Sequence, residues 1–300
     1  MDLPVITQMS KWLETIKTLH LEPTNVCQAA CPLCARETDL NFNKLQKNYI
    51  TFNAIKKILG VSVIKNLEKM FMCGNYGDPA ASKETLNIFY EFKNLNPSIE
   101  LGMNTNGGLQ SVDWWQELAG ILNKQNDYVV FSIDGLEDTN HIYRKNVNWQ
   151  KLIDNVQSFI KSGGNAQWDM LIYPYNQHQV ESAKNLAKIL GFKWFRCKIS
   201  KRKSDIKWLQ PLSENIQLKD TQTIIDCFRD KDNSIYLSSD GNLYPCCWLG
   251  VTNNTLDQFD SIRNSWNTVN CNPMCKKTCS LQNNTTNYKR QWQYEVEFKC

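Results

Sequence analysis

Short apolar runs of strand length alternate with longer amphipathic stretches from about residue 17 to residue 200. The strand-like runs are Lys17–Pro23, Lys69–Cys73, Ile99–Asn104, Tyr128–Asp134, Ala166–Tyr173 and Phe192–Ile199. Between them the apolar positions recur with helical period. Thr51–Leu59 opens on a threonine suited to capping, and Ser82–Leu95 carries Leu86, Phe89, Tyr90 and Phe92 on one face. Val112–Asn123, Trp149–Ser162 and Gln177–Leu190 follow the same pattern, with Gly163-Gly164 and Gly191 as stops. Six β–α alternations predict a parallel sheet, because each helix returns the chain across the sheet. Such a repeat closes partly into a (β/α)6 barrel of the TIM type, whose working loops lie at the carboxyl ends of the strands.

The texture changes after about Ser200. The basic run Arg196–Lys207 leads into a linker expected over residues 201–226. Beyond it, Ser234–Leu237 and Asn242–Cys246 flank Asp240-Gly241, a hairpin signal. A loop is expected at Gln282–Asn287. The division expected is a helical extension over 1–16, a barrel over 17–200, the linker, and a small cysteine-rich domain over 227–300.

Net charge is +4, too mild by itself to argue for nucleic acid. No apolar run is long enough to span a bilayer, and the N-terminus lacks the features of a signal peptide. A cytosolic protein is expected, where a disulfide framework is disfavoured. The 12 cysteines then need another purpose, and with only 3 histidines to accompany them they point to thiolate metal sites or iron–sulfur clusters. Cys73 and Cys197 fall in expected strands and read as small hydrophobes, and terminal Cys300 has no assigned part.

CQAACPLC, residues 27–34, places Cys27, Cys31 and Cys34 on the loop after the first strand. Four thiolates saturate a four-iron cube, whereas three leave one iron open to a small molecule. A zinc site would want a second pair of cysteines nearby, and the remaining groups lie about 200 residues away. The stretch LEPTNVCQAACPLC resembles the C-x3-C-x2-C signature of the radical S-adenosylmethionine (SAM) superfamily, with Leu33 at the usual apolar place before the third cysteine. Three further stretches resemble that family in order and position: CGNYGDP after strand two, NTNGG after strand three and FSIDGLEDTNHIYR at strand four. Asp78 stands where the family pattern has glutamate, Gly74 and Gly77 are separated, and Gln28 replaces the common asparagine.

The resemblance implies a catalytic 4Fe-4S cluster on the three cysteines and SAM bound to its open iron. It further implies reductive cleavage to a 5′-deoxyadenosyl radical, with electrons from a donor such as flavodoxin or ferredoxin. Backbone groups around Gly77 and Asp78 would accept from the SAM ammonium, and Asn106 would lie beside the cofactor. Ser132 and Asp134 would meet ribose hydroxyls or the methionine moiety, Arg144 would offset the SAM carboxylate, and Leu33 with Leu171 or Ile172 would flank the adenine. The plainer readings are a tight turn for Gly77, a shaped turn for Asp134 and a surface ion pair for Arg144. Tyr173, Tyr175 and His178 are acid–base candidates by location alone.

Cys227, the pair Cys246-Cys247 and the spaced Cys271, Cys275 and Cys279 form a second field. It resembles the SPASM/twitch module that carries an auxiliary cluster after the barrel in some radical SAM enzymes. Cys227, Cys246, Cys275 and Cys279 are the expected ligands of an auxiliary 4Fe-4S cluster, with Cys247 and Cys271 as competitors and a structural zinc as the alternative. Hydrogen abstraction from a small polar molecule or a peptide is the activity expected, as an oxidation or related modification. About 16 residues precede strand one, too few for a leader-peptide-binding domain, which tilts the expectation toward a small substrate. An RNA-modifying radical enzyme is an alternative resting on the basic run, and a non-enzymatic zinc or electron-transfer protein is another.

Overall fold

The computed structural model describes residues 13–38, 46–199, 209, 224–266, 268–280 and 294–298. Most of the expected extension over 1–16 and of the linker over 201–226, the loop at 282–287 and Cys300 lie outside the described residues. All six expected strands form: β1 Thr18–Leu21, β2 Lys69–Met72, β3 Glu100–Thr105, β4 Tyr128–Ser132, β5 Ala166–Ile172 and β6 Trp194–Ile199. They pair in parallel in sequence order.

The five expected helices form as Phe52–Leu59, Thr85–Leu95, Val112–Ile121, Trp149–Lys161 and Val180–Leu190. Three begin on side chains that accept a backbone N–H at 2.8–3.3 Å: Thr51, Ser111 and Asn148. The second starts three residues later than expected, because Asp78 caps a 3-10 turn at Pro79–Ala81 first. Short helices at Ala35–Thr38, Val61–Asn66 and Asn140–Tyr143 were not expected; at four to six residues they carry almost no periodic signal.

Two more elements complete the sheet. The expected hairpin forms as β7 Ser234–Leu237 and β8 Leu243–Tyr244. It does not build a sheet of its own: β7 lies parallel to β1 and covers that edge. At the other edge β9, Tyr294–Glu297, runs antiparallel to β6. The order across the sheet is β8-β7-β1-β2-β3-β4-β5-β6-β9. An unpaired strand edge invites association, and here both edges of the parallel core are occupied.

The sheet is curled. Lys198, at the end of β6, is near enough to Cys73, just past β2, for its charge to ease that thiol's ionisation. In a flat sheet four strand spacings would separate them by about 19 Å. The two faces differ accordingly. Against the helices lie Phe131, Trp168 and Phe192, buried completely or nearly so, with Phe131 meeting Trp115, Phe159 and Phe192 at 5.3–6.0 Å. Each such ring contributes about 2–3 kcal/mol relative to exposure. The inner face is polar. His20 stacks on Phe71, Lys69 pairs with Glu100 at 2.6 Å, and Asp169 pairs with Arg196 at 2.7 Å. Arg196, the first residue of the basic run, is therefore turned into the sheet's hollow and bound to Asp169. Among the described residues no helix is long and apolar enough to cross a membrane.

Trp168 joins core to rim, since its indole Nε1 donates to the carbonyl of Ile133 at 2.9 Å just past β4. Trp168→Phe keeps an aromatic ring of smaller volume and leaves that carbonyl without its donor. The expected loss is about 1–3 kcal/mol in chemical denaturation, with the helical circular dichroism unchanged.

Candidate active site

The cysteine loop is fixed from several sides. Asn25 donates to the carbonyl of Gln46 at 2.8 Å and accepts from the Asn48 N–H at 2.9 Å. Asp78 N–H donates to the Val26 carbonyl at 2.9 Å, and Ala30 N–H to the Lys145 carbonyl at 3.1 Å. The Arg36 guanidinium donates to the carbonyl of Cys27. Cys34 N–H donates to the Cys31 carbonyl at 2.9 Å, which starts the turn into Ala35–Thr38. Cys31 has both other cysteines as electrostatic neighbours. Burial, with Asp78 nearby, pushes the Cys27 thiol up to about 12. Burial also raises Cys31, which Arg144 partly offsets.

The loops after β2 and β3 meet at Asp78. Its Oδ1 accepts from Ala80 N–H at 2.9 Å and from the Thr105 hydroxyl at 2.8 Å. Its Oδ2 accepts from the Asn106 N–H at 2.8 Å and the Asn106 amide at 2.7 Å. Burial raises its pKa, and these donors act against that rise. Asn106 passes the link on: its carboxamide oxygen accepts from Gln28 at 2.7 Å, and its amide nitrogen lies 3.6 Å from Cys27 Sγ. Gln28 fills a structural place here that the sequence marked only as a departure.

The β4 segment meets the loop through an ion pair. Asp134 is fully buried; its Oδ2 accepts from Arg144 Nε at 2.7 Å and its Oδ1 from Leu171 N–H at 2.6 Å. Arg144 Nη1 lies 3.7 Å from Cys31 Sγ. This is a buried pair, not the surface pair of the plainer reading. Ser132 is half-buried at the end of β4, opposite Asp169 of β5. Leu33 and Leu171 are half-buried and pack against the core. Tyr175 donates to the Asp134 carbonyl at 3.0 Å, and Tyr173 is buried against Tyr143 with ring centroids 5.0 Å apart.

Glu22 was not singled out by the sequence reading. It is 1% exposed. One carboxylate oxygen accepts from the backbone N–H of Tyr76 at 2.7 Å and of Gly77 at 3.0 Å. The other accepts from the hydroxyl of Tyr236, in β7. Burial raises its pKa, and these three donors pull against that rise. The available signal was a charged residue inside an otherwise apolar strand end directly before the cysteine loop. Gly77 is the close approach the loop requires: a Cβ there would lie 1.8 Å from the Thr24 carbonyl oxygen.

The second cysteine field also gathers. Cys275 has Cys227, Cys246 and Cys279 as electrostatic neighbours, and Cys246 has Cys279. Burial pushes Cys227 and Cys275 up to about 12 and Cys246 to about 11. Cys275 packs with Leu249, Phe259 and Ile262 in a small apolar core, with Cys227 and Cys246 against it. The competitors lie differently. Cys271 is influenced by Lys276, while Cys247 neighbours Cys73 as well as Cys246. Every described cysteine is free. Among the described residues no three His, Cys, Asp or Glu side chains are drawn together closely enough to hold a metal ion as they stand. The three-thiol loop after β1 nonetheless suits an iron–sulfur cluster, being thiols without competing histidine.

The family model described as the radical SAM superfamily matches residues 21–187, more than half of the chain. No curated protein matches it. Among solved structures, Streptococcus suis SuiB bound to S-adenosylmethionine aligns at TM-score 0.58 and 14% identity, over 89% of this chain and 70% of SuiB. SuiB bound to its precursor peptide SuiA aligns with the same score and identity, over 89% and 69%. Native anSMEcpe with bound AdoMet and the Cp18Cys peptide aligns at TM-score 0.59 and 14% identity, over 92% of this chain and 91% of that one. At these identities the structural matches speak for the fold, and the family match covers the cysteine loop and the strand-end loops around it: the chain belongs to the radical SAM superfamily.

Proposed function

We propose that this protein holds a 4Fe-4S cluster on Cys27, Cys31 and Cys34, binds SAM at it, and abstracts hydrogen from a small polar molecule or a peptide. The observation that carries the reading is the convergence of these thiols, the Asp134–Arg144 pair and the Glu22-held loop on one rim of a curled parallel sheet. When bound, cluster and SAM together supply one-electron cleavage of the sulfonium and a 5′-deoxyadenosyl radical. The chain's own residues position and shield. Arg144, held by Asp134, keeps a positive charge beside Cys31. Asn106 and Gln28 brace the loop at Cys27. Gly77, Asp78, Ser132 and Leu33 border the place for SAM, Gly77 through its backbone and Asp78 through the loop it ties.

The polar inner face supports a polar substrate. Asp169, Arg196 and Lys198 stand on its β5–β6 wall, next to Ser132. The peptides carried by SuiB and anSMEcpe support a peptide equally well. In this reading residues 17–200 form the catalytic barrel and 227–300 a SPASM/twitch-like module, joined by 201–226. The module's auxiliary 4Fe-4S cluster is held by Cys227, Cys246, Cys275 and Cys279, and an electron donor such as flavodoxin or ferredoxin serves the catalytic one. The reaction is an oxidation or related modification carried out in the cytoplasm.

Three outcomes are expected. Alanine at Cys27, Cys31 and Cys34 together abolishes 5′-deoxyadenosine formation by anaerobically reconstituted protein with dithionite, while iron in the C-terminal site remains. Normal cleavage by that variant would sink the assignment. Alanine at Cys227, Cys246, Cys275 and Cys279 removes about half the iron per chain, on the basis of two four-iron clusters; unchanged iron, or zinc in its place, refutes the second cluster.

The third concerns Asp169, whose carboxyl burial pushes up to about 6, with Arg196 holding back part of the rise. Its ionised form is thus disfavoured in the folded state. The group's contribution to stability is fully present below its ordinary value of 3.8 and is lost as pH climbs from there through about 6. The loss is on the order of 3 kcal/mol. The denaturation midpoint of Asp169→Asn should therefore depend less on pH between about 4 and 6 than that of the wild type; equal slopes would show that Asp169 does not titrate there.

A further inference from the structure

Tyr76 and Gly77 both turn their backbone N–H groups onto the same oxygen of Glu22. The described peptide bonds are all trans. In a planar trans peptide the carbonyl points opposite to the N–H. The carbonyls sharing those two peptide units belong to Asn75 and Tyr76, so both are aimed away from Glu22. The first can be followed: the Asn75 carbonyl oxygen lies 4.0 Å from Cys34 Sγ. Glu22 therefore turns both carbonyls away from its own carboxylate, and the Asn75 carbonyl faces the cysteine loop.

The carboxylate is itself held from the far end of the chain. Tyr236 donates to its second oxygen, across 214 positions of sequence. The same β7 strand pairs with β1 in a register that places Leu237 beside Leu21, the residue before Glu22. The loop has a second tie to the C-terminal part, from the Asn75 amide to the Cys247 carbonyl at 2.9 Å. The backbone has no slack at this place. A Cβ on Gly74 would lie 2.3 Å from the Gly77 carbonyl oxygen and 2.6 Å from Glu22 Oε1.

We propose that Glu22 and Tyr236 are positioning residues for SAM. They touch neither cofactor nor substrate; they aim the Asn75 and Tyr76 carbonyls at the ammonium of its methionine end. The inference rests on the SAM-binding reading above and adds to it that a strand from the C-terminal third of the chain sets the affinity for that ammonium. A carbonyl pair held in place accepts from an ammonium without reorganising, whereas a loose loop must first be ordered.

The test is equilibrium dialysis of the anaerobically reconstituted, oxidised full-length protein against two probes. One is SAM, and the other is its 2-oxo analogue, in which a ketone replaces the amine. Iron per chain is measured in parallel. Glu22→Ala is expected to weaken SAM binding about tenfold, the size of one well-placed hydrogen bond to a charged group, and to leave the weaker binding of the analogue and the iron content unchanged. Glu22→Gln keeps an acceptor for the two N–H groups and a donor toward Tyr236, and should restore SAM binding to within about threefold. Tyr236→Phe, which preserves the ring, should weaken SAM binding about threefold and spare the analogue, so the inference stays testable even where Glu22→Ala fails to fold. Equal weakening toward both probes in Glu22→Ala or Tyr236→Phe would overturn the inference, because the residues would then support the loop without aiming it at the amine. A wild-type protein that bound no SAM would overturn instead the reading on which it rests.

Discussion

A carboxylate removed from water must have its lone pairs occupied by donors, and here three such carboxylates tie down the rim. Glu22, Asp78 and Asp134 are all buried, and each accepts at least one backbone N–H together with a side-chain donor. An unpaired buried charge costs far more than a lost surface contact. A loop in contact with one of these groups therefore has few alternative conformations. Glu22 takes the loop after β2, Asp78 joins that loop to the one after β3, and Asp134 joins the β4 segment to β5 and Arg144. The cysteine loop is caught between them through Val26, Gln28 and Cys31.

This arrangement depends on the two-faced sheet. Aromatic packing on the helix side fixes the strand ends, so the carboxylates have a rigid base. The inner face can then be polar without loss of the core. Charges on it are paired within the wall, Lys69 with Glu100 toward one end and Asp169 with Arg196 toward the other. A polar molecule entering the hollow would meet a surface whose electrostatics are set before it arrives.

Much of this was legible along the chain, because it is local. The strands follow from alternation and run length, the helix starts from Thr51, Ser111 and Asn148, and the cysteine groups from spacing. In the second field Cys275 is influenced electrostatically by Cys227, Cys246 and Cys279, residues that lie far from one another in sequence. What stayed hidden is non-local. No local pattern announces that Tyr236 will meet Glu22, that β9 will pair with β6, or that the hairpin will complete an edge of the barrel sheet. Asp78 and Asp134 could be placed on the rim by motif, but their partners Thr105, Asn106, Leu171 and Arg144 come from separate elements.

The position of β7 has a consequence for how the molecule is made. β1 leaves the ribosome early, yet one of its edges finds its strand only after about 200 further residues. At ordinary rates of synthesis this is a wait of about 10–40 s. During it the first strand has one open edge, and Glu22 lacks its tyrosine donor. The cysteine loop next to it is thus complete in sequence long before its surroundings are complete in space. A cluster assembled on the finished chain would meet a loop whose neighbour Glu22 is held by Tyr236, and one assembled on the nascent chain would meet it before that support exists.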